Sequence, residues 1–294
     1  MRVLVTGSSG FTGKPLVKFL SDSGYEVFGL TQVAQEKYEY SVDLLDRDSV
    51  FKVIQEVRPD FVIHLAGIAL PSFPDIELMY RINMFGTKNI LDAVFEFCPN
   101  VQKVLLASTA HVYGVVGDKP VKESDRLQPV SHYGNSKLAM ENIARVYMDK
   151  LPIIITRPFN YTGPGQSTDY VIAKIIEHYR LGKQEISLGN IDVVRDFSYL
   201  DDVLYYYKQL MISNDSGFAV NLCSGVGTSL REVVIYLDEI AGYKMKVNSS
   251  SVLLRPQDNP VFIGDRTVLN AFASSSTYYS INDVESLLKQ TLRK

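Results

Sequence analysis

Tryptophan is absent from this 294-residue chain, and cysteine occurs only twice, at Cys98 and Cys223. Two cysteines so far apart, without the spacing of metal ligands, argue against a disulfide framework and suit a reducing compartment. Among the histidines, His64, His132 and His178 show no mutual metal-ligand spacing either. The sequence therefore predicts no metal site and a structural role for these three histidines.

An excess of one charge is also lacking, since 30 basic residues stand against 33 acidic ones. The formal net charge of −3 offers no basic surface to a nucleic-acid backbone or an anionic membrane. No apolar run approaches the roughly 20 residues of a membrane-spanning helix, and no charged segment with a long apolar run opens the chain. We therefore expect a soluble, cytoplasmic protein without a nucleic-acid or membrane partner.

Short apolar runs alternate with longer helical stretches between residues 2 and 158. The strand candidates are RVLVT, EVFGL, DFVIHLA, KVLLAS and PIIITR, all too apolar for strands with one face in water. Between them, apolar residues recur at helical spacing over 14–24, 46–59 and 78–97. This order predicts an α/β fold with a doubly wound parallel sheet and crossover helices.

After Pro158 the alternation weakens and a Gly/Pro turn, FNYTGPGQ, follows. Helices are predicted near 170–181, 202–211, 229–240 and 282–292, with the strand candidates FAVNLC and KMKVN between them. We interpret this part as a smaller α/β substrate-binding lobe, interwoven with the first. The predicted boundaries assign 1–165, together with about 190–224, to a dinucleotide-binding domain, and 166–189 with 225–294 to the lobe.

The segment VTGSSGFTG follows the first strand and opens the first helix, with Gly7, Gly10 and Gly13 three residues apart. Glycines at these places allow a tight turn, close approach of a pyrophosphate and close packing of helix on strand. The helix N-terminus adds N–H donors for a phosphate. The loop predicts dinucleotide binding, with Phe11 and Thr12 as further contacts; the alternative is an ordinary glycine-rich loop.

The second strand candidate ends in GLTQ, without the Asp or Glu that would hold the adenosine ribose of NAD. This ending favours NADP, with NAD as the alternative. Lys37 could meet a 2′-phosphate, although an exposed lysine is commonly a solvated charge. Asp43 follows the next strand position and is expected to face the adenine.

Tyr133 precedes Lys137 by four residues in SHYGNSK, so on a helix both lie on one face about 6 Å apart. An adjacent ammonium lowers the pKa of a phenol from its usual value of about 10. Such a tyrosine can transfer a proton near neutral pH. The alternative is a surface helix in which the spacing arose by chance.

With the glycine loop, Thr109 and the Tyr133/Lys137 pair in this order, the chain resembles the extended short-chain dehydrogenase/reductase superfamily over nearly its whole length. Supporting matches are HLAG at 64–67, NMFGTKNIL at 83–91, ASTAHVYG at 107–114, RPFNYTGPGQ at 157–166 and RDFSYLDDV at 195–203. The later segments look most like GDP-6-deoxy-4-keto-mannose reductases and GDP-mannose 4,6-dehydratases. The resemblance implies a Rossmann-like domain and a GDP-sugar substrate.

The resemblance also implies site roles. Tyr133 would protonate a sugar C4 carbonyl oxygen as hydride arrives from the nicotinamide, Lys137 would bind the nicotinamide ribose, and Thr109 would steady the same oxygen. A hydroxyl bonded to the local backbone is the alternative for Thr109. The cofactor contacts carried over are Asp43, Leu44, Leu65, Ala66 and Gly67, together with Tyr133 and Lys137.

For the sugar nucleotide, the resemblance points to Asn160, Arg195 and Arg255, because an arginine fork matches phosphate oxygens in pairs. A surface ion pair is the alternative for the arginines. His111 takes the place of a glutamate that acts as base in the dehydratase relatives. It could serve as a base or be structural, and Asn83 is expected to shape the active-site helix through its amide.

We therefore expect NAD(P)H-dependent reduction of the C4 keto group of a GDP-4-keto-6-deoxy-hexose to a GDP-rhamnose type of sugar. The alternatives are 4,6-dehydration or 4-epimerisation in the same site and, remotely, a non-catalytic NADP-sensing protein, since fold alone does not fix activity. A homodimer is expected through the helices around 79–91 and 138–147, whose apolar faces would also fit core packing.

Overall fold

The computed structural model describes residues 1–253, 259–273 and 284–293. The strands in these ranges are β1 Arg2–Thr6, β2 Glu26–Thr31, β3 Glu39–Ser41, β4 Phe61–His64, β5 Lys103–Ala107, β6 Ile153–Pro158, β7 Asn160–Thr162, β8 Glu185–Leu188, β9 Val194–Tyr199, β10 Phe218–Leu222, β11 Gly227–Ser229, β12 Lys246–Ser249 and β13 Val261–Phe262.

The helices are α1 Gly13–Asp22, α2 Arg47–Val57, α3 Ile76–Tyr80, α4 Thr87–Phe97, α5 His132–Tyr147, α6 Val171–Arg180, α7 Leu200–Ile212, α8 Leu230–Ala241, α9 Thr267–Asn270 and α10 Val284–Arg293. A π-helical turn, Arg81–Gly86, joins α3 to α4, and short 3₁₀ turns occupy Ala110–Tyr113 and Ser251–Leu253. None of the helices in the described ranges combines the length and apolar character needed to cross a membrane.

A seven-stranded parallel sheet in the order β10-β6-β5-β4-β1-β2-β3 forms the centre of the molecule. The chain starts in the middle, winds outward to β3 and then returns to wind outward to β10. This confirms the predicted doubly wound, Rossmann-like α/β fold. The five predicted strands before Pro158 are present, and FAVNLC adds the edge strand β10 to the same sheet.

Alternate residues of each central strand point to opposite helix layers. In β1, Leu4 packs with α2, α4 and α5, whereas Val3 and Val5 pack with α1 and α7. All three side chains are fully buried. Because helices cover both faces, the strands are apolar at most positions, which explains the apolar runs in the sequence.

Another hydrophobic cluster lies in the chain after β6. It is formed by α6, α8 and α10 with residues of β8 and β9, and Ile175, Val233 and Leu237 are fully buried in it. Beside it, β9 pairs with β7, β11 and β13, while β8 pairs with β12. Among the described residues, this cluster contains no side chain from the seven-stranded sheet, so α6, α8 and α10 bury apolar surface among themselves and with β8 and β9.

Several local features differ from the sequence-based expectation, two of them near the expected site. The three-residue strand β3 was not among the strand candidates, although a strand position before Asp43 was expected, because three residues carry too little alternation to delimit a strand. The segment 78–97 was expected as one regular helix, yet it widens into the π-helical turn between α3 and α4. Such turns concentrate at functional sites, and Asn83 lies within this one.

Candidate active site

The loop after β1 turns tightly between strand and helix. Gly7 has a φ of +70°, and a Cβ there would lie 3.0 Å from the Ala66 backbone after β4. A Cβ on Gly13 would lie only 2.0 Å from the Gly7 carbonyl oxygen. Glycine is therefore required at both positions, and the loop backbone with the α1 N-terminus has the form of a phosphate cradle. These residues fit a dinucleotide.

The outer part of this loop contacts a residue that the sequence did not single out. The Thr12 and Tyr161 hydroxyls are 2.8 Å apart, and the Phe11 and Tyr161 rings stack with centroids 5.9 Å apart. Tyr161 belongs to β7, 149 residues further along the chain than Thr12. The predicted cofactor contacts Phe11 and Thr12 therefore lie at a junction between the glycine loop and the later part of the chain.

An acidic residue that the sequence-based prediction does not include, Glu39, lies where the adenosine is expected to bind. The Ser8 hydroxyl donates to the Glu39 carboxylate at 2.7 Å, and the Ser9 and Thr31 hydroxyls are 2.6 Å apart. Glu39 lies on β3, outside the end of β2 where a ribose-binding carboxylate is expected. Lys37 is exposed in the connection between β2 and β3.

The other proposed cofactor contacts follow β3 and β4. Asp43 is exposed and accepts the backbone N–H of Leu45 at 2.9 Å, whereas Leu44 is buried. Leu65 and Ala66 are half-buried, and Ala66 N–H donates to a threonine of β1. A Cβ on Gly67 would lie 3.1 Å from the Lys137 ammonium, so this stretch runs beside the lysine.

Tyr133 and Lys137 lie in the first turns of α5, which Ser131 caps by accepting the Gly134 N–H. Only 7% of Tyr133 and 4% of Lys137 is exposed. The interpretation of this pair as part of a surface helix is therefore wrong. The ammonium donates to the Ala107 carbonyl at the end of β5 at 2.8 Å.

The Tyr133 hydroxyl is hydrogen-bonded to the side chain of Thr109, which is also buried. The His111 ring meets the Tyr133 ring edge-on, with centroids 5.7 Å apart. Thr109 additionally accepts the His111 N–H at 3.2 Å and so begins the 3₁₀ turn after β5. Thr109, His111, Tyr133 and Lys137 are thus brought together, although Thr109 also makes the local backbone bond expected of a structural hydroxyl.

Burial controls the titration of this pair. It raises the pKa of Tyr133, against the lowering effect of the Thr109 hydrogen bond. Burial also lowers the pKa of Lys137 to about 8, partly offset by Glu141 on the next turn of α5. The expectation that Lys137 lowers the pKa of Tyr133 is wrong for this arrangement, because desolvation dominates. Tyr133 therefore holds its proton at neutral pH, as a proton donor must.

Buried polar residues support the pair from the side of β4. Asn83 accepts the Ile68 N–H at 2.8 Å and donates to the Ser136 hydroxyl at 2.9 Å, so its amide fixes the first turns of α5. Both ring nitrogens of His64 meet threonine hydroxyls, Thr6 and Thr87. Burial, then the charge of Lys137, lowers the pKa of His64 to about 3, which keeps the ring neutral.

The expected sugar-nucleotide residues lie on neighbouring strands. Asn160 begins β7 and donates to the Asp196 carbonyl at 3.4 Å, and Arg195 is half-buried on β9. The Arg195 guanidinium donates to the Asn259 carbonyl oxygen at 2.7 Å. Arg255 lies outside the described residues. Within those residues, no group of three or more His, Cys, Asp or Glu side chains is placed to hold a metal ion.

The central sheet and the glycine loop define a dinucleotide-dependent enzyme of the extended short-chain dehydrogenase/reductase class. Residues 3–223 match the model of the NAD dependent epimerase/dehydratase family, and the chain belongs to that family.

Two bacterial relatives align over most of the chain. The GDP-6-deoxy-D-talose 4-dehydrogenase of Aggregatibacter actinomycetemcomitans is 34% identical, with 99% of this chain and 98% of the relative covered. The GDP-6-deoxy-D-mannose reductase of Pseudomonas aeruginosa is 33% identical, with 86% of this chain and 84% of the relative covered.

Solved structures show the same architecture with different cofactors. RMD from Pseudomonas aeruginosa, complexed with NADPH, superposes with a TM-score of 0.84 at 30% identity, covering 99% of this chain and 96% of the other. The UDP-glucose 4-epimerase of Thermus thermophilus, complexed with NAD, gives a TM-score of 0.85 at 28% identity, covering 100% and 98%. These similar structures thus include one with NADPH and one with NAD. The residues around the adenosine are therefore the ones to compare when NADP and NAD are distinguished.

Proposed function

We propose that the protein reduces the C4 keto group of a GDP-4-keto-6-deoxy-hexose to a GDP-6-deoxy sugar. The observation that carries this proposal is the buried cluster of Thr109, Tyr133 and Lys137 beside a glycine loop that fits a dinucleotide. The names of the two relatives, a 4-dehydrogenase and a reductase of GDP-6-deoxy sugars, support the choice of substrate class.

The roles in this proposal follow from the protonation states. When bound, NADPH would supply the hydride for the carbonyl carbon. Tyr133 keeps its proton until the carbonyl oxygen gains negative charge, and then donates it. Thr109 holds the phenol and aligns the same oxygen, while Lys137 carries the positive charge that stabilises the resulting phenolate and binds the nicotinamide ribose.

NADPH is the proposed cofactor, with Gly7, Gly10 and Gly13 at its pyrophosphate and Leu65 to Gly67 along its nicotinamide half. The lack of a carboxylate at the end of β2 and the NADPH complex of RMD support this choice. Glu39 favours NADH as the second candidate. Its carboxylate lies next to Ser8 of the loop and would repel a 2′-phosphate.

The proposed substrate contacts are Asn160, Arg195, Arg255 and His111, with GDP as the nucleotide. We propose a GDP-rhamnose type of product, which is GDP-6-deoxy-D-mannose, as in the name of the Pseudomonas reductase. The talose epimer is the second candidate, because the Aggregatibacter relative is named for it. The two sugars differ only in the configuration at C4, so the face from which hydride arrives decides between them.

Dehydration and epimerisation use the same fold and remain the rival reactions. His111 stands where a dehydratase would have a carboxylate base, and its ring packs edge-on against Tyr133. This contact favours a role in shaping the site over proton abstraction. A non-catalytic NADP sensor would have no use for the buried Tyr133 and Lys137, whose desolvation is costly.

The substrate lobe would comprise 166–189 and 225–294, in keeping with the separate hydrophobic cluster of α6, α8 and α10.

Cys98 and Cys223 are both buried free thiols, which supports a reducing, cytoplasmic location. A homodimer would bury the exposed apolar side chains Phe85 and Val146 on neighbouring helices.

The test uses purified protein with GDP-4-keto-6-deoxymannose and either NADPH or NADH. We expect stoichiometric loss of nicotinamide absorbance, a higher kcat/KM with NADPH, and a product whose C4 configuration is read from the H3–H4 coupling in its NMR spectrum. Conversion without net consumption of reduced cofactor would replace the reductase by an epimerase or dehydratase.

Tyr133→Phe removes the proton donor while keeping the ring, so turnover should fall by about 10²–10⁴-fold with unchanged NADPH affinity. Tyr147→Phe is the matched control, because Tyr147 lies on the same helix and bonds Asp92 on α4. It should retain full turnover. Near-normal activity of Tyr133→Phe would remove the phenol from the chemistry.

A further inference from the structure

Three consecutive residues at the end of β5 contact three successive turns of α5. The Ala107 carbonyl accepts from Lys137, the Ser108 hydroxyl donates to Glu141 at 2.6 Å, and the Thr109 side chain bonds Tyr133. Two of these contacts involve the proposed catalytic residues. The third, between Ser108 and Glu141, fixes the same strand end to the same helix.

Glu141 is fully buried and carries several hydrogen bonds. Its carboxylate accepts from Arg157 of β6 at 2.9 and 2.7 Å and from Arg145 at 2.9 Å, in addition to Ser108. Only 2% of Arg157 is exposed. A buried ion pair of this kind adds little net stability over an apolar replacement, so its value lies in the geometry and charge that it fixes.

The same network reaches the far side of His111. The Arg157 guanidinium donates to the Tyr113 hydroxyl at 2.9 Å, and Tyr113 in turn donates to Asn221 of β10 at 2.7 Å. Tyr113 ends the 3₁₀ turn that contains His111. Ser108 and Tyr113 therefore hold the segment 108–113 at both ends, through Glu141 and its partner Arg157.

We propose that Glu141 is a positioning residue for the reductive reaction, an inference that rests on the proposed function. It fixes the segment bearing Thr109 and His111 against α5, and it places a negative charge one helical turn from the Lys137 ammonium.

The charge matters because Lys137 sits close to its titration range. Burial brings the pKa of Lys137 to about 8, and Glu141 acts against that lowering. The other titratable groups facing the lysine are Tyr133 on its own helix and His64 on β4, both neutral at this pH. Without the carboxylate, Lys137 loses its proton at lower pH.

The groups facing Glu141 decide which variant is informative. They are Arg145 on α5, Arg157 on β6 and Tyr113 after β5. Glu141→Gln alone would leave Arg157 buried without its counter-charge and could unfold the protein. The double variant Glu141→Gln/Arg157→Met removes both buried charges together, and Ser108→Ala removes one hydrogen bond while keeping the carboxylate.

The first measurement is the titration of Lys137 by NMR of protein labelled with ¹³C at the lysine ε-carbon, with the signal assigned by its loss in Lys137→Met. We expect the midpoint to fall in the double variant, because Glu141 and not Arg157 is the charge that acts on Lys137, and to stay unchanged in Ser108→Ala. The affinity for NADPH should fall as Lys137 loses its proton. In the double variant this fall should therefore occur at a lower pH than in the wild type. An unchanged midpoint in a folded double variant overturns the electrostatic role.

The second measurement is steady-state kinetics of Ser108→Ala at neutral pH. We expect kcat to fall about tenfold, because one of the two anchors of the segment that bears Thr109 is lost, with KM for NADPH unchanged. A merely structural bond would lower the unfolding midpoint and leave kcat intact, which overturns the positioning role. If the wild type reduces no GDP-4-keto sugar, the proposed function fails, yet the lysine titration still decides whether Glu141 sets the charge of Lys137.

Discussion

At the scale of single residues, burial of the Lys137 ammonium opposes folding. Lys137 is almost fully buried, and its ammonium bonds the Ala107 carbonyl. The drop of its pKa from 10.5 to about 8 corresponds to roughly 3 kcal/mol against the folded, protonated state. Active sites commonly retain such costs because the charge is needed for function.

Lys137→Met should therefore stabilise the fold while abolishing turnover. We expect the free energy of unfolding to rise by roughly 1–3 kcal/mol at about pH 7, after allowing for the lost hydrogen bond. Below pH 8 the lysine is protonated in both the folded and unfolded states, so the gain is complete there. It shrinks between pH 8 and 10.5, as the wild-type lysine releases its proton first in the folded state.

Urea unfolding at about pH 7 and about pH 10 checks this dependence. Lys52→Met is the control, because Lys52 is exposed on α2 and its loss should change stability equally at both pH values. Equal destabilisation of Lys137→Met at both pH values would show that burial of the ammonium carries no cost.

At the scale of elements, the first βα unit is built around a backbone contact. β1 is buried on both faces, and the loop after it must turn into α1 within a few residues. Gly13, the first residue of α1, packs directly on the Gly7 carbonyl. The approach of α1 to the sheet, and with it the direction of its N-terminal N–H groups, depends on the absence of a side chain there.

Gly13→Ala should disrupt this approach. A Cβ at 2.0 Å from the Gly7 carbonyl oxygen would displace backbone, at a cost of about 1–3 kcal/mol or more. We expect a lower unfolding midpoint and a loss of NADPH binding by calorimetry. Gly117→Ala is the matched control, because a Cβ there meets nothing within 4 Å; its effect should stay within about 0.5 kcal/mol. Full NADPH affinity in Gly13→Ala would contradict the cradle.

At the scale of the whole molecule, two helices on one face leave large apolar side chains in water. Phe85 and Phe95 are each 51% exposed on the helical segment 81–97, and Val146 is 69% exposed on α5. The Tyr147 hydroxyl donates to Asp92, so the two helices lie side by side. Exposed apolar patches of this kind mark interaction surfaces, and a second copy of the chain is the proposed occupant.

Val146→Glu should convert the dimer to a monomer. In an interface with two-fold symmetry each substitution occurs twice, so two unpaired carboxylates would be buried together. Analytical ultracentrifugation should show half the wild-type mass. Ile235→Glu, on the exposed apolar position of α8, is the control and should leave the mass unchanged. A monomeric wild type would reject the proposed dimer.

The order of elements was predictable because parallel strands covered on both faces are apolar at most positions. Each of the five runs before Pro158 became a strand of the central sheet. The glycine loop was predictable for a similar reason, since the spacing of Gly7, Gly10 and Gly13 reflects backbone contacts within one βα unit. The spacing of Tyr133 and Lys137 likewise indicated one helix face, although it left open whether that face is buried.

The sequence by itself thus determined the doubly wound sheet, the glycine loop and the pairing of Tyr133 with Lys137, because these depend on neighbours along the chain. Only the tertiary structure decided the desolvation of the pair, the contact of Thr12 with Tyr161, and the placement of Glu39 and Glu141 beside them. These features join residues up to 149 positions apart or depend on the dielectric surroundings that the whole fold creates. The local periodicity of the sequence predicts neither the long-range contacts nor the burial, since both arise only when the elements pack.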